Sequence, residues 1–173
     1  MARAVVSTIG TDQPGVVAGL SRLAERLNLN IEDSRMTALG GEFAVLMAVE
    51  GSEENLEAFS NSLAQIADQD LSYLFKRTED RSAQTPARPY RAVISALDHP
   101  GIVASIAQFF SEREINIRDL STETVPAPHT GTPIFNVELI VDVSADVRIN
   151  ELRSAFEDFC IEADLDGELE ADR

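Results

Sequence analysis

The sequence predicts an α+β protein in which one βαββαβ unit is used twice, and three observations carry that reading. A shift of 86 residues lays "TDQPGVVAGL" (11–20) over "LDHPGIVASI" (97–106), and between Asp12 and Asp33 it gives eight identities in 22 positions without a gap. Unrelated segments of ordinary composition would share about one or two. Further on, "EFAVLMAVE" (42–50) matches "IFNVELIVD" (134–142) at an offset of 92, so six extra residues enter the second copy, in the turn-rich "PAPHTGTP" (126–133). Within each copy the apolar spacing switches from strand-like to helical and back, twice over.

In the first copy, "RAVVSTIG" (3–10) is β-branched and apolar, as a mostly buried strand requires. Val16, Val17, Leu20, Leu23, Ala24 and Leu27 then recur at helical spacing and form one face for packing on a sheet. "NIEDSRMTAL" (30–39) alternates, Gly40-Gly41 supplies a tight turn, and "EFAVLMAVE" (42–50) returns as a central strand, so these pair as a hairpin. Ser52 is placed as the N-cap of a second amphipathic helix with Leu56, Phe59, Leu63 and Ile66 on one side. "LSYLFKRTE" (71–79) closes the unit as a strand.

The second copy fills the same six roles with Tyr90–Leu97, Gly101–Arg113, Ile115–Thr124, Ile134–Val143, Ile149–Cys160 and Leu165–Glu170. Its last strand is the weakest in pattern, because "ADLDGELEAD" is crowded with carboxylates and contains Gly167. The order βαββαβ is the ferredoxin-like split unit with a four-stranded antiparallel sheet. Domains are therefore expected at 1–79 and 90–173, the latter ending in an acidic tail. The polar segment 80–89, with two prolines and no periodicity, is expected to be a linker.

Composition narrows the function classes. With 44% hydrophobic and 25% charged residues over 173 positions, the chain can bury a core and is not of the disordered type. No apolar run approaches the ~20 residues of a membrane span, and "MARAVVSTIG" lacks a signal-peptide pattern, so a cytoplasmic protein with no membrane association is expected. A single cysteine, Cys160, agrees with a reducing compartment and is expected to be a buried, inert thiol beside Phe156 and Phe159. Thirty acidic against fourteen basic residues give a net charge of −16, which argues against direct binding to nucleic acid. Nine acidic residues crowd positions 150–173; the plain reading is a solvated face, the sharper one a match to a basic partner protein.

A unit of this order, with Asp-x-Pro-Gly after its first strand and Asn-Ile-x-Asp opening its second, resembles the ACT domain, a small-molecule regulatory module of amino-acid metabolism. The segment "NIEDSRMTALGGEFAVLMAVEGS" (30–52) more narrowly resembles the glycine cleavage system transcriptional repressor family, built of two tandem ACT domains. The resemblance implies a non-enzymatic regulator that senses an amino acid, glycine above others, and acts through a DNA-binding activator protein. It also implies assembly through sheet edges or faces, between the two copies or in a homodimer.

The repeated turn has a chemistry of its own. Proline sets φ near −65° and glycine lets the chain swing into the helix, which leaves main-chain N–H groups at the helix start facing outward. An amino acid's carboxylate could dock there. Asp12 would serve either as helix cap or as a partner for a ligand ammonium group. Asn30 offers both donors and an acceptor for a zwitterion. The candidate ligand-binding residues are thus Asp12, Gln13, Gly15, Val16, Asn30 and Ile31, with Asp98, His99, Gly101, Ile102, Asn116 and Ile117 in the second copy. A bare structural turn is the alternative in both. Asp33 and Asp119 read as strand positions on a polar face.

Catalysis is not signalled: there is no Ser-His-Asp order, nucleophile elbow or phosphate loop, and no cofactor motif. Two histidines, His99 and His129, stand far from the single cysteine in sequence, so no metal site is expected. The alternative to a sensor is a ligand-free ACT adaptor that assembles with a metabolic enzyme.

Overall fold

In the computed structural model, which describes residues 1–66, 71–79 and 87–172, the chain divides into two compact units, Met1–Ser82 and Ala83–Arg173. The first runs β1 (Ala2–Thr11), α1 (Val16–Arg26), β2 (Asn30–Leu39), β3 (Glu42–Gly51), α2 (Glu53–Ile66) and β4 (Leu71–Thr78). The second repeats the order as β5 (Ala87–Leu97), α3 (Ile102–Ser111), β6 (Asn116–Pro126), β7 (Pro133–Ser144), α4 (Ile149–Glu162) and β8 (Asp166–Ala171). Each unit holds one antiparallel sheet, ordered β2-β3-β1-β4 and β6-β7-β5-β8. β5 begins at Ala87, so the last three residues of the expected linker 80–89 are strand; Ala87 and Pro89 pair with Ser144 and Asp142 of β7. Residues 80–86 of that linker lie outside the described residues.

Alternation along the central strands decides which face the helices cover. Ala4, Val6 and Thr8 of β1 and Val45, Met47 and Val49 of β3 point inward against Leu20, Leu23 and Ala24 of α1 and Leu56, Phe59 and Leu63 of α2. Val17, expected on the packed face of α1, is 38% exposed instead. The second core swaps aliphatic bulk for rings: Phe109, Phe110 and Phe156 are buried and stack edge-on or tilted, with Phe159 beside them.

Helix ends follow local chemistry. Asn55 N–H donates to Ser52 Oγ at 3.1 Å, which makes Ser52 the N-cap read from the sequence. Asn28, Glu114 and Asp164 take positive φ, and the next residues, Leu29, Ile115 and Leu165, donate back to Ala24, Phe110 and Cys160 carbonyls while burying their side chains. Gly40 and Gly41, at φ 62° and 91°, close the β2–β3 hairpin in two residues. The longer β6–β7 connection is pinned across its mouth, where Ala127 N–H donates to Thr132 O at 2.8 Å.

The Asn-Ile-x-Asp motif is the sequence of a β-bulge. Register shifts between Ile31 and Asp33, and between Ile117 and Asp119, so that one extra residue enters the edge strand. That residue is Glu32 in the first unit, 3.0 Å from Arg3, and Arg118 in the second, paired with Asp142. After the bulge Asp33 and Asp119 sit on the outer sheet face, as expected.

β8 is short and carboxylate-rich, and only Gly167 and Leu169 of its residues are shielded from solvent. A Cβ on Gly167 would lie 2.6 Å from Cys160 Sγ and 3.2 Å from Ile94 Cγ1, so glycine here is a matter of space. Burial and the nearby Asp166 push the Cys160 thiol up from 9.0 to about 11.

Gly167→Ala should therefore destabilise the protein by about 1–3 kcal/mol in urea titration, and Cys160→Ala in the same chain should recover part of that loss. The thiol's contribution to stability is complete below pH 9.0 and lost as pH rises toward about 11, because the folded state holds the proton more tightly. A Cys160→Ala chain should lack that component.

Candidate functional site

β1 ends at Thr11, and Asp12-Gln13-Pro14-Gly15 turns the chain onto the sheet. Gly15 is at φ 105° and Gly101 at φ 104°, and each carbonyl accepts from the N–H four residues on, Gly19 at 2.8 Å and Ser105 at 2.9 Å. The turn is tied to the neighbouring hairpin: Asp12 N–H donates to Gly41 O at 3.2 Å, and Asp98 N–H to Pro133 O at 3.3 Å. Neither helix start has a side-chain cap, so the capping role open to Asp12 is not taken. Asp12, Gln13, Asp98 and His99 are all exposed, and His99 Nδ1 lies 3.1 Å from the Pro100 carbonyl.

In the first unit the turn borders a cleft of about 650 Å³, within the range of small-molecule sites. Of the candidate residues, Gln13, Gly15 and Val16 line it. Phe43 and Leu71 add apolar surface, while Arg22 and Arg26 bring charge from α1. Sequence reasoning missed the arginines. The signal was present in the spacing, since Gly15, Gly19, Arg22 and Arg26 step at four, three and four residues along one helix face.

The structure does not bring Asn30 to this cleft. Asn30 pairs with Glu50 of β3, level with Arg3, whereas Thr11 is level with Glu42 and Leu39. Eight residues of β1 separate the two levels, about 27 Å at strand rise. The physical reason is the crossover: α1 carries the chain back along the sheet before β2 begins. Asn30 lines a separate open cleft with Asn28 and Asn55, and half-buried Ile31 packs on the core. The second unit repeats the separation, with Asn116 level with Asp142 and Pro89, while Leu97, next to the turn, is level with Ile134. Asn116 and Ile117 border another small cleft with Ser111 and Glu114. Within either unit, the turn residues and the asparagine cannot hold one small ligand together.

Ile102 at the start of α3 is 2% exposed and belongs to the core. Among the described residues no group of three or more His, Cys, Asp or Glu could hold a metal ion, and no helix is long and apolar enough to cross a membrane.

Two βαββαβ units with this bulged second strand and left-handed glycine turn define the class: the chain belongs to the ACT-domain family, whose models match residues 2–74 and 90–157. Over 166 residues it is 26% identical to the glycine cleavage system transcriptional repressor of Escherichia coli (strain K12), covering 95% of this chain and 87% of that one. A solved structure provisionally named as a glycine cleavage system transcriptional repressor matches 99% of this chain and 98% of its own, with 28% identity and a TM-score of 0.77. A protein of unknown function from Galdieria sulphuraria is similar over 99% of both chains, at 26% identity and a TM-score of 0.85.

Because a Cβ on Gly15 or Gly101 would meet open space, the requirement at both turns is for the backbone conformation alone. Gly15→Ala and Gly101→Ala should each lower stability by about 1–3 kcal/mol in denaturant titration. Unchanged midpoints would show that the turn tolerates a side chain.

Proposed function

We propose that the chain is a non-enzymatic regulator that senses an amino acid and controls gene expression through a protein partner, a DNA-binding activator, rather than by touching DNA. The observation that carries this reading is the full-length likeness to a glycine cleavage repressor, 95% of this chain against 87% of that protein, with both ACT units included. Glycine is the first candidate by that kinship. The cleft at the first turn is of a size to admit an amino acid.

Charge supports the indirect route. On the outer face of the second sheet, Asp119, Glu123, Glu138, Asp166, Glu168 and Glu170 are exposed against Arg118, paired with Asp142, and Arg91, whose Nε donates to Glu138 at 2.7 Å. That hydrogen bond and charge hold the Glu138 carboxyl below its ordinary value. Such a face repels phosphates and suits a basic protein surface. The first sheet's outer face is different, with Leu46, Ser7 and Leu74 in one cross-strand row and both leucines about half exposed or more. It offers an apolar surface for the homodimer that this proposal includes. A cytoplasmic location completes it.

The ligand-free adaptor reading gains one observation: with Asn30 and Asn116 remote from their turns, the paired-residue argument for a zwitterion site in each unit falls away. Calorimetry of the full chain against the common amino acids separates the two. The sensor reading expects saturable heat from at least one; none, from folded protein, leaves the adaptor. Affinity capture from the native cell should return a DNA-binding protein, and recovery of metabolic enzymes alone would contradict the route proposed here.

A further inference from the structure

We propose that the cleft of the first unit binds a small dianion, a dicarboxylate or a phosphate ester, gripped by Arg22 and Arg26, and that the second unit has lost this site. The inference rests on the sensor reading above and names the ligand class of the same cleft, in place of the glycine that kinship alone puts first.

The arginines are the first ground. Of the eleven arginines among the described residues, six face a carboxylate and two donate to main-chain carbonyls. In a chain with thirty acidic residues, Arg22, Arg26 and Arg88 have neither kind of partner among the described residues, and two of these three, Arg22 and Arg26, line one cleft. Residues four apart on a helix stand with Cβ atoms about 6 Å from each other, so both guanidiniums reach one ligand. Their planar forks suit carboxylate and phosphate oxygens. Glycine, a neutral zwitterion with one carboxylate, would leave the second charge unmatched and most of about 650 Å³ unfilled.

The second ground is the duplicated unit, which acts as an internal control. At the 86-residue offset Arg22 becomes Gln108 and Arg26 becomes Glu112, and Gln108 Nε2 donates to Glu112 Oε1 at 2.8 Å. The positive wall is replaced by a self-satisfied, net-negative pair. The glycines that open the first cleft change as well: Gly10 becomes Ala96, 8% exposed, and Gly19 becomes Ser105, whose hydroxyl donates to Ile102 O. Leu23 and Ala24 become Phe109 and Phe110, so added bulk accompanies lost charge.

Titration calorimetry of the full chain at low salt tests this with succinate, L-glutamate, O-phospho-L-serine, inorganic phosphate and glycine. At least one dianionic probe should bind at one per chain. Its ranking against the others distinguishes dicarboxylate from phosphate. Arg22→Gln with Arg26→Glu, which installs residues the second unit already carries at these helix positions, should weaken it at least tenfold with an unchanged unfolding midpoint. Arg22→Lys with Arg26→Lys should retain part of the affinity, and added salt should weaken binding to the native chain. Absence of binding by every anionic probe, a stoichiometry of two, or full affinity in the Gln/Glu variant would overturn the proposal. Heat from glycine alone would overturn it and leave the sensor reading standing. Heat from succinate or phosphate, lost in the Gln/Glu variant, would uphold the cleft even if every amino acid failed.

Discussion

The Pro-Gly turn that ends the first strand of each unit determines where everything after it can go. At φ 105° and 104°, Gly15 and Gly101 occupy a conformation that a side chain resists, and both are followed at once by a helix lying on the sheet's apolar face. The helix direction then places β2 and β6 antiparallel to the strands they border, and the bulge at Glu32 or Arg118 sets the register in which those edge strands pair. One backbone requirement thus fixes the crossover, the sheet order and the position of the cleft.

On that shared frame the two copies diverged in chemistry. The first unit keeps glycines at positions 10 and 19 and, beside them, arginines without a partner among the described residues, over a mostly aliphatic core. The second fills its core with phenylalanine, has the hydrogen-bonded pair Gln108 and Glu112 where the first has arginines, and presents carboxylates on its outer sheet face. A concave, locally positive surface suits a small anion, and a broad acidic surface suits a basic protein. The net charge of −16 would disfavour any anion that did not meet such a local positive patch.

Much of this frame was legible in the residues. The repeat was visible because Asp-x-Pro-Gly and Asn-Ile-x-Asp are backbone requirements, which side-chain divergence leaves intact. Ser52 was legible as a cap because hydroxyl-to-N–H bonding is local. β8 was faint because only Gly167 and Leu169 of its residues are shielded from solvent, and the glycine's reason, contact with Cys160, is tertiary. The start of β5 was misplaced by three residues because Arg88 and Pro89 read as linker chemistry. The distance between Asn30 and the turn is not legible because motif proximity along the chain hides an 11-residue helix that returns to the far end of the sheet. Arg22 and Arg26 were missed because arginines on the polar side of an amphipathic helix look like ordinary solvated surface. Only the fold shows that this side walls a cleft.

The claim that one scaffold carries a single anion-binding cleft, in the first unit, is most directly tested by amide and arginine side-chain NMR of the labelled full chain during titration with whichever of succinate, L-glutamate, O-phospho-L-serine and inorganic phosphate binds. The account predicts saturable shifts at Gly10, Gln13, Gly15 and Gly19 and at the Nε–H groups of Arg22 and Arg26, with Asn30, Asn116 and the Gly101 turn unmoved. Equal shifts at both turns, or shifts centred on the asparagines, would contradict it.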